Sequence, residues 1–463
     1  MADQRLKDLR GTGRRDFLRW SATVAACLGL ERARFLNVLN DTAGTAAADT
    51  AACASTLRHI HVRDGQGGLS NWTLIFPFPS VMQTANAQYS HYASGQGVAA
   101  QGYDKTYLYG PHSPWQAEPK WKVSAFVAGR SETHTAAPVS VSTLGGNSSL
   151  AAAAAIQQAN PTLLPVLQVG GINYGTAAGA PAPAAVGSAA DLVGLFNSAA
   201  SRTLMQAPEN GALAESYYKA FLGLNSSAGR STIAKQYGIG KVSMNLLSRN
   251  LAAQLTPTAA DEALFGLAGG TPGAVQNMSR AMITTIRAFS LGLSSMLIMR
   301  GFNNDPHQMF SGGDALATTT ATAMQRMMDG LYAFAKSKQD PACSSKTLAD
   351  SLVFSVDGDT YKNPFARAGW GDGTPQNSNM LYVMGAGHLK TGFFGSVERN
   401  GNNSVVQGWD PATGNTGGAY DQALGAPAAA ALLFAVAKGD MRRVRDFYSG
   451  PAIDGVVNLN VTG

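Results

Sequence analysis

The sequence predicts an α/β fold, built on a mostly parallel central sheet with helices on both faces. Segments typical of strands alternate with segments typical of helices, most clearly in the C-terminal part of the chain, and this alternation favours a parallel sheet covered on both sides. The composition supplies a large core, because 45% of the 463 residues are hydrophobic and only 14% are charged. Disorder of the common, highly charged kind is therefore excluded for the body of the chain.

The strands are predicted where short apolar runs end at polar or glycine-rich turns. In chain order these runs are Leu57–Val62, Val123–Val127, Leu163–Val169, Ser295–Phe302, Leu352–Val356 and Met380–Met384. Helical spacing of apolar residues predicts the helices Ser149–Gln158, Val275–Leu291, Ala315–Lys336 and Gln422–Lys438. In the second of these, Met278, Met282, Ile286 and Phe289 are interpreted as core residues.

The remaining segments are less regular. The aromatic, proline-rich stretch Asn71–Pro79 is predicted to be a loop or a second short strand. The Ala/Gly/Pro-rich stretch 175–187 is expected to be a mobile surface insertion. A longer helical region, 189–270, is expected either to form a cap or to cover one face of the sheet.

The amino terminus resembles a twin-arginine export signal, since Arg14-Arg15 is followed by Phe17-Leu18 and a weakly apolar run to Leu30. Residues 1–54 are accordingly interpreted as a signal and a flexible segment, and the protein is expected in the periplasm or outside the cell, delivered by the twin-arginine export machinery. A basic amphipathic helix is the alternative. A lipoprotein signal ending at Cys27 is disfavoured by the shortness of the apolar run.

Charge and cysteine content exclude several classes of partner and scaffold. The 35 basic and 29 acidic residues give a net charge of +6 without a dense basic run, so no nucleic-acid partner is expected. The sequence has no long uncharged apolar run, so no transmembrane span is predicted. Three cysteines are too few for a disulfide-dense scaffold. A Cys53–Cys343 bridge is possible in an oxidising compartment, but two unrelated buried thiols are the favoured interpretation.

Carboxylates and imidazoles follow several predicted strands, and ligands of open parallel sheets bind beyond the carboxyl ends of the strands. Such groups suit a divalent metal (zinc, manganese or calcium) that could polarise a phosphoryl or sulfuryl oxygen. The predicted ligands are Asp64, His134, Asp305, His307 and Asp359. The alternative is that these acids only cap turns. His59 and His61, which alternate on the first strand, are interpreted as packed core or interface histidines.

Candidate catalytic residues lie beside these ligands. Lys362 or Arg63 could steady an anionic group, and Ser70 or Thr73 could be the nucleophile, although hydroxyls in such loops usually form turns. No phosphate-binding loop, His-Glu-x-x-His motif or Gly-x-Ser-x-Gly elbow is visible, which argues against nucleotide hydrolases, common zinc proteases and ordinary serine esterases.

Four motifs in order resemble those of a large bacterial family of exported proteins of unknown function, usually placed in the alkaline phosphatase/sulfatase-like superfamily. The family's Gly-Trp-Asp-Thr-His resembles Gly301–His307, and its Glu-Phe-Gly-Arg-Thr-Pro resembles Asp359–Pro364. Its Arg-Ser-His-Phe resembles Arg130–His134, and its glycine-rich segment with a lysine resembles Gly385–Gly392. The resemblance implies one alkaline phosphatase-like domain over residues 55–463.

One departure from the family bears on activity. Members usually carry an Asp-His pair after the acidic-Pro motif, whereas Gly369–Pro375 keeps Asp372 and has no histidine. This departure favours a non-catalytic binding or assembly member of the family, with an envelope protein as a possible partner. The alternative is a metal-dependent hydrolase of phosphate or sulfate esters.

Overall fold

The computed structural model of the protein describes residues 53, 56–83, 97–117, 120–160, 162–196, 250–311, 313–365, 370, 373–401 and 403–459. The predicted export signal, and residues 197–249 of the predicted helical region, lie outside the described residues. Among the residues that are described, no helix combines the length and the apolar character needed to span a membrane.

The core of the fold is an eight-stranded sheet. Its strands are β1 (Arg58–Gly65), β4 (Ser124–Arg130), β7 (Val166–Val169), β8 (Ala184–Val186), β9 (Met296–Asn303), β12 (Leu352–Asp357), β13 (Ser378–Met384) and β14 (Gly392–Phe394). Their order across the sheet is β14-β4-β13-β12-β1-β9-β7-β8. Every neighbouring pair is parallel except the two that β13 makes with β12 and β4. The predicted mostly parallel sheet is confirmed.

Helices pack on both faces of this sheet. The helices are α1 (Pro79–Gln83), α2 (Ser149–Gln157), α3 (Ala189–Gly194), α4 (Leu251–Leu255), α5 (Ala259–Leu264), α6 (Gly273–Ser290), α7 (Ala315–Lys336), α8 (Gly425–Val436) and α9 (Met441–Arg445). One core joins α6 and α7 to one face, and there the predicted core residues of α6 are all buried. A second core joins the alanine-rich α2 and α8 to the opposite face. The predicted α/β class is therefore confirmed.

Smaller antiparallel sheets accompany the central sheet. They pair β2 (Val98–Ala99) with β3 (Leu108–Tyr109), β5 (Thr143–Leu144) with β6 (Asn147–Ser148), and β10 (Gln339–Asp340) with β11 (Cys343–Thr347). A three-stranded antiparallel sheet contains β15 (Ser396–Asn400), β16 (Asn403–Trp409) and β17 (Thr416–Ala419). Short 3-10 turns occur at Gly68–Leu74, Ser140–Ser142, Leu348–Asp350, Pro375–Asn377 and Gln422–Leu424.

Three segments differ from their predictions. The stretch after β1 is neither a loop nor a strand, because Gly68–Leu74 forms a buried 3-10 helix followed by α1. Residues 184–186 of the low-complexity segment are an edge strand of the central sheet, paired with β7, and not part of a mobile insertion. The predicted strand Leu163–Val169 begins only at Val166, since Pro165 lacks the N–H that a ladder position needs.

The cysteine interpretation is corrected as well. Cys53 and Cys343 form a disulfide bond, so the favoured prediction of two unrelated thiols is wrong. The bridge ties residue 53 to β11, 290 positions away in sequence. Spacing alone could not reveal this pairing, because it depends on how the chain folds between the two cysteines.

Gly68 lies where the chain leaves β1, and its lack of a side chain permits a close approach to β9. A Cβ atom at this position would meet the carbonyl oxygen of Phe302, and would lie 2.7 Å from its carbonyl carbon. We expect Gly68→Ala to lower the free energy of unfolding by about 1–3 kcal/mol, because backbone yields poorly to overpacking. Urea denaturation measures this change. Gly273→Ala, at a helical position with open space around it, should cost nothing.

Candidate functional site

The candidate site lies at the carboxyl ends of three adjacent parallel strands. β1 lies between β9 and β12, so the loops that follow all three strands meet at one rim of the sheet. The loop after β4 reaches the same rim, because Glu132 N–H donates to the Asp359 carbonyl at 2.7 Å and Gln66 N–H donates to the Thr135 carbonyl at 3.2 Å. These contacts place groups from four strands within reach of one another.

Asp305 is the centre of a cluster of four predicted site residues, which we call the rim cluster: His134, Asp305, His307 and Lys362. The Lys362 Nζ atom lies 2.8 Å from Asp305 Oδ1, and His307 Nε2 lies 3.2 Å from the same oxygen. His134 Nε2 lies 3.3 Å from Asp305 Oδ2. The carboxylate therefore contacts one ammonium and two imidazoles.

The members of the rim cluster differ sharply in exposure. Lys362 is fully buried, whereas the side chains of His134 and His307 are 45% and 39% exposed. Both Lys362 and His134 adopt positive φ, at 57° and 60°, a region that residues with side chains enter at an energetic cost. The cluster thus holds a fixed internal cation beneath two imidazoles that face solvent.

Asp359 lies next to the rim cluster and is buried. Gly67 N–H donates to its Oδ2 at 2.6 Å, and the backbone N–H groups of Thr360 and His134 also favour its charged form. Gly67 also lies against Asp305, since a Cβ atom on Gly67 would be 3.2 Å from the Asp305 Cα. Burial raises the pKa of Asp359 to about 6, against the opposing effect of the Gly67 N–H.

Asp64 lies deeper, at the end of β1. Its Oδ1 accepts from the Phe302 N–H, and the Trp72 side chain is a second hydrogen-bonding group beside this carboxyl. Burial raises the pKa of Asp64 well above its usual range; the Phe302 N–H opposes this shift and the nearby Asp359 adds to it. Gly301 and Gly358 leave room for this side chain, because a Cβ on either would press against it.

Arg63, one of the two residues predicted to steady an anionic group, is hydrogen-bonded away from the rim cluster. Its Nε and Nη2 donate to the two oxygens of Asp357 at 2.7 and 2.6 Å, and its Nη1 donates to the Asn173 carbonyl at 2.9 Å. The guanidinium is buried, and these three hydrogen bonds hold it between Asp357 and Asn173. Arg63 therefore joins β1 to β12, and Lys362 is the cation of the rim cluster.

The hydroxyls of the two predicted nucleophiles are also hydrogen-bonded within the chain. Ser70 Oγ–H donates to the Gly67 carbonyl at 2.5 Å, and Thr73 Oγ1–H donates to the Ser70 carbonyl at 2.7 Å. Both side chains are buried within the 3-10 helix. Their hydroxyls form turns, as the alternative interpretation held.

Sequence reasoning missed a buried polar network below the rim, in which Ser355 and Asp357 of β12 contact His59 and His61 of β1. The available signal was strand alternation, which places both histidines on one face of β1 and both β12 residues on the matching face. Both histidines are buried, which agrees with their interpretation as packed histidines outside the rim site.

Three of the five predicted metal ligands, His134, Asp305 and His307, meet in the rim cluster, while Asp359 lies beside it and Asp64 lies deeper. Within the described ranges, no group of three or more His, Cys, Asp or Glu side chains is arranged to hold a metal ion. Asp305 is instead paired with the Lys362 ammonium. Asp372, the acid retained from the family motif, lies outside the described residues.

A cleft of about 1160 Å³ lies away from the rim, between α1 and β15. Its lining includes Phe78, Lys105, Phe393 and Glu398, and none of the predicted site residues. The cleft is therefore separate from the rim cluster. No protein-family model, no curated protein and no solved structure matches the chain.

Proposed function

We propose that the chain is an exported, non-catalytic binding or assembly protein of the alkaline phosphatase/sulfatase-like fold. The observation that carries the proposal is the Lys362–Asp305 pair, with its 2.8 Å separation and its buried ammonium. A carboxylate at this rim is the group that a divalent metal would need, and here a lysine already supplies the positive charge. The Asp305 carboxylate thus has a positive charge beside it, as it would in a metal site, but the charge comes from lysine and not from a Lewis-acidic metal ion.

Two further observations support the proposal. The mostly parallel sheet, with helices on both faces and polar groups at the strand ends, agrees with the α/β class that the family resemblance implies. The Cys53–Cys343 disulfide favours an oxidising compartment, such as the periplasm or the exterior, over the cytosol. Delivery by the twin-arginine export machinery agrees with both.

His134 and His307 are the most exposed side chains of the rim cluster, and Asp305 is partly exposed between them. The Lys362–Asp305 pair positions the two imidazoles, since each ring contacts an Asp305 oxygen. Histidines fixed in this way can donate to or accept from a partner without a large loss of side-chain freedom on binding. We propose that they contact the bound ligand or envelope protein.

Metal content and hydrolysis test this proposal directly. The purified, folded protein is expected to contain no stoichiometric zinc, manganese or calcium, and to leave aryl phosphate and aryl sulfate esters intact. Elemental analysis and a chromogenic ester assay measure the two properties. A stoichiometric metal that is lost in Asp305→Ala, together with ester hydrolysis, would overturn the proposal in favour of the hydrolase.

Lys362→Met probes the lysine itself. Removing a positive charge 2.8 Å from Asp305 should raise the affinity of the rim for added Zn²⁺ at least about tenfold, because the carboxylate no longer has a competing cation. Titration calorimetry compares the variant with the parent protein. Lys390→Met is the matched control, since Lys390 is bonded to the Asp454 carbonyl and is not part of the rim cluster. Equal zinc affinity in all three proteins would show that Lys362 does not take the place of a metal.

A metal-dependent hydrolase is the second candidate, and one observation favours it. Asp64 and Asp359 are buried carboxyl groups close enough for the charge of one to act on the other. Two buried carboxylates near one another are costly unless a cation pairs with them. In this alternative they would be ligands of a divalent cation that polarises a phosphate or sulfate ester, and the metal analysis above distinguishes the two functions.

A further inference from the structure

Beneath the rim, four buried polar side chains form a chain of hydrogen bonds between β1 and β12. Ser355 Oγ lies 2.7 Å from His59 Nε2 and 2.8 Å from His61 Nδ1. His61 Nε2 lies 3.2 Å from Asp357 Oδ1. The parallel register produces this arrangement, because it places His61 opposite Ser355 and Arg63 opposite Asp357.

The donors in this chain can be assigned in one direction only. Asp357 is a carboxylate, because the Arg63 guanidinium donates to both of its oxygens, from Nε at 2.7 Å and from Nη2 at 2.6 Å. His61 Nε2–H therefore donates to Asp357, which leaves the lone pair of His61 Nδ1 to accept from the Ser355 hydroxyl. The hydroxyl oxygen accepts from His59 Nε2–H.

The far end of the chain agrees with this assignment. His59 Nδ1 makes no hydrogen bond with any described residue. A buried nitrogen without a partner is less costly as a lone pair than as an unsatisfied N–H donor, so this nitrogen is the unprotonated one. Both imidazoles are then neutral, and both carry their proton on Nε2.

A second proton on either ring would break a hydrogen bond of this chain or leave a buried donor without a partner among the described residues. On His61 Nδ1 it would face the Ser355 hydroxyl, which would have to turn its own hydrogen away. On His59 Nδ1 it would be a buried donor without a partner. The helices that cover this face, α2 and α8, contribute no ionisable side chain. The charged groups on this face of the neighbouring strands are Arg63, Asp357 and, on β9, Arg300.

We propose that this chain is an acid-sensitive lock, which joins β1 to β12 only while both imidazoles are neutral. The two strands lead directly into Asp64 and Asp359, so opening the lock loosens the rim above it. Acidification of the surroundings would thereby weaken whatever the rim binds. The lock would add pH control to an exported protein, which is a property beyond the proposed binding function.

The direction of the pH dependence follows from burial. Burial lowers the pKa of both histidines; for His61 the nearby Asp357 carboxylate opposes this effect without cancelling it. The unfolded chain takes up these protons near pH 6.5 and the folded chain does not. The stability that the lock contributes is therefore complete above about pH 6.5 and is lost as the pH falls below that value.

Asp64 and Asp359 act in the opposite direction. Their folded-state pKa values are raised by burial, so the folded chain binds their protons more readily and gains stability as the pH falls toward 4. The total slope of stability against pH mixes both effects. Only a difference between variants isolates the lock.

His61→Gln provides that difference. The glutamine amide can still donate to Asp357 but cannot take a proton, so the unfolded variant binds one proton fewer. Between pH 6 and 5 the unfolding equilibrium constant of the parent protein should rise up to about tenfold more than that of the variant. Urea unfolding at a series of pH values gives both slopes. Val62→Ala, which faces the other side of β1, should lower stability equally at every pH.

A measurement on the unaltered protein keeps the inference testable if His61→Gln does not fold. Nitrogen NMR of histidine should show both buried rings as neutral Nε2–H tautomers from pH 7.5 to 5.5, with the signals lost together when the fold opens. An Nδ1–H tautomer or an imidazolium in the folded protein would overturn the lock. Parallel slopes for the parent protein and His61→Gln would do the same.

Discussion

Replacing Cys343 with serine is expected to lower the free energy of unfolding by about 2–5 kcal/mol. The bridge to Cys53 spans 290 positions, so its loss returns a very long loop to the unfolded chain. Cys343 is also buried in β11, where a hydroxyl packs less favourably than sulfur. Urea unfolding of the oxidised parent protein and of the variant measures the difference.

Three comparisons separate the bridge from local packing. Cys53→Ser should cost nearly as much as Cys343→Ser, and the double variant should cost little more than either single change, because all three proteins lack the same bond. Reduction of the parent protein should lower its stability toward that of the variants. A Cys343→Ser protein as stable as the oxidised parent would mean that the two sulfurs are not bonded in solution.

Local pattern was sufficient to predict most of the fold. The apolar runs of β1, β9 and β12 were placed to within a few residues, and α7 was placed with both of its ends correct. These elements have strong periodicity and clear polar or glycine stops. The antiparallel direction of β13 could not be read in this way, because an apolar strand carries no mark of its direction.

The missed elements are those whose structure depends on distant contacts. The 3-10 helix Gly68–Leu74 exists where Gly68 packs against the backbone of Phe302, far along the chain. The edge strand Ala184–Val186 is formed from a low-complexity segment that pairs with β7. Weak local preference gave way to tertiary pairing in both cases.

The candidate site could be predicted in part. The rule that polar groups gather beyond parallel strand ends correctly brought Asp305 together with His134, His307 and Lys362. The rule did not bring Arg63 to the rim cluster, since consecutive strand residues point to opposite faces and Arg63 is adjacent to Asp64. Only the pairing of β1 with β12 shows that Arg63 meets Asp357.

The Arg63–Asp357 pair should be one of the costliest contacts in the molecule to break. We expect Asp357→Asn to lower the free energy of unfolding by about 3–5 kcal/mol, because it leaves a buried guanidinium without its carboxylate. Both side chains are nearly fully buried and joined by two hydrogen bonds. Urea unfolding at pH 7 measures the loss.

The charge of Asp357 predicts how this loss varies with pH. Burial raises its pKa, but Arg63 and His61 more than reverse that effect, so its folded-state pKa lies below the ordinary value of 3.8. A depressed carboxyl pKa contributes stability above that value and loses it as the pH falls further. The gap between the parent protein and Asp357→Asn should therefore narrow below about pH 4.

Two variants show whether the cost comes from a buried charge left alone. Arg63→Met/Asp357→Leu removes both charges and should be more stable than Asp357→Asn, because no ion then remains unpaired in the core. Glu262→Gln breaks a half-exposed pair with Arg280 and should cost no more than about 1 kcal/mol. If Asp357→Asn costs no more than Glu262→Gln, water must reach the guanidinium, and the network that joins β1 to β12 cannot be as dry as its geometry indicates.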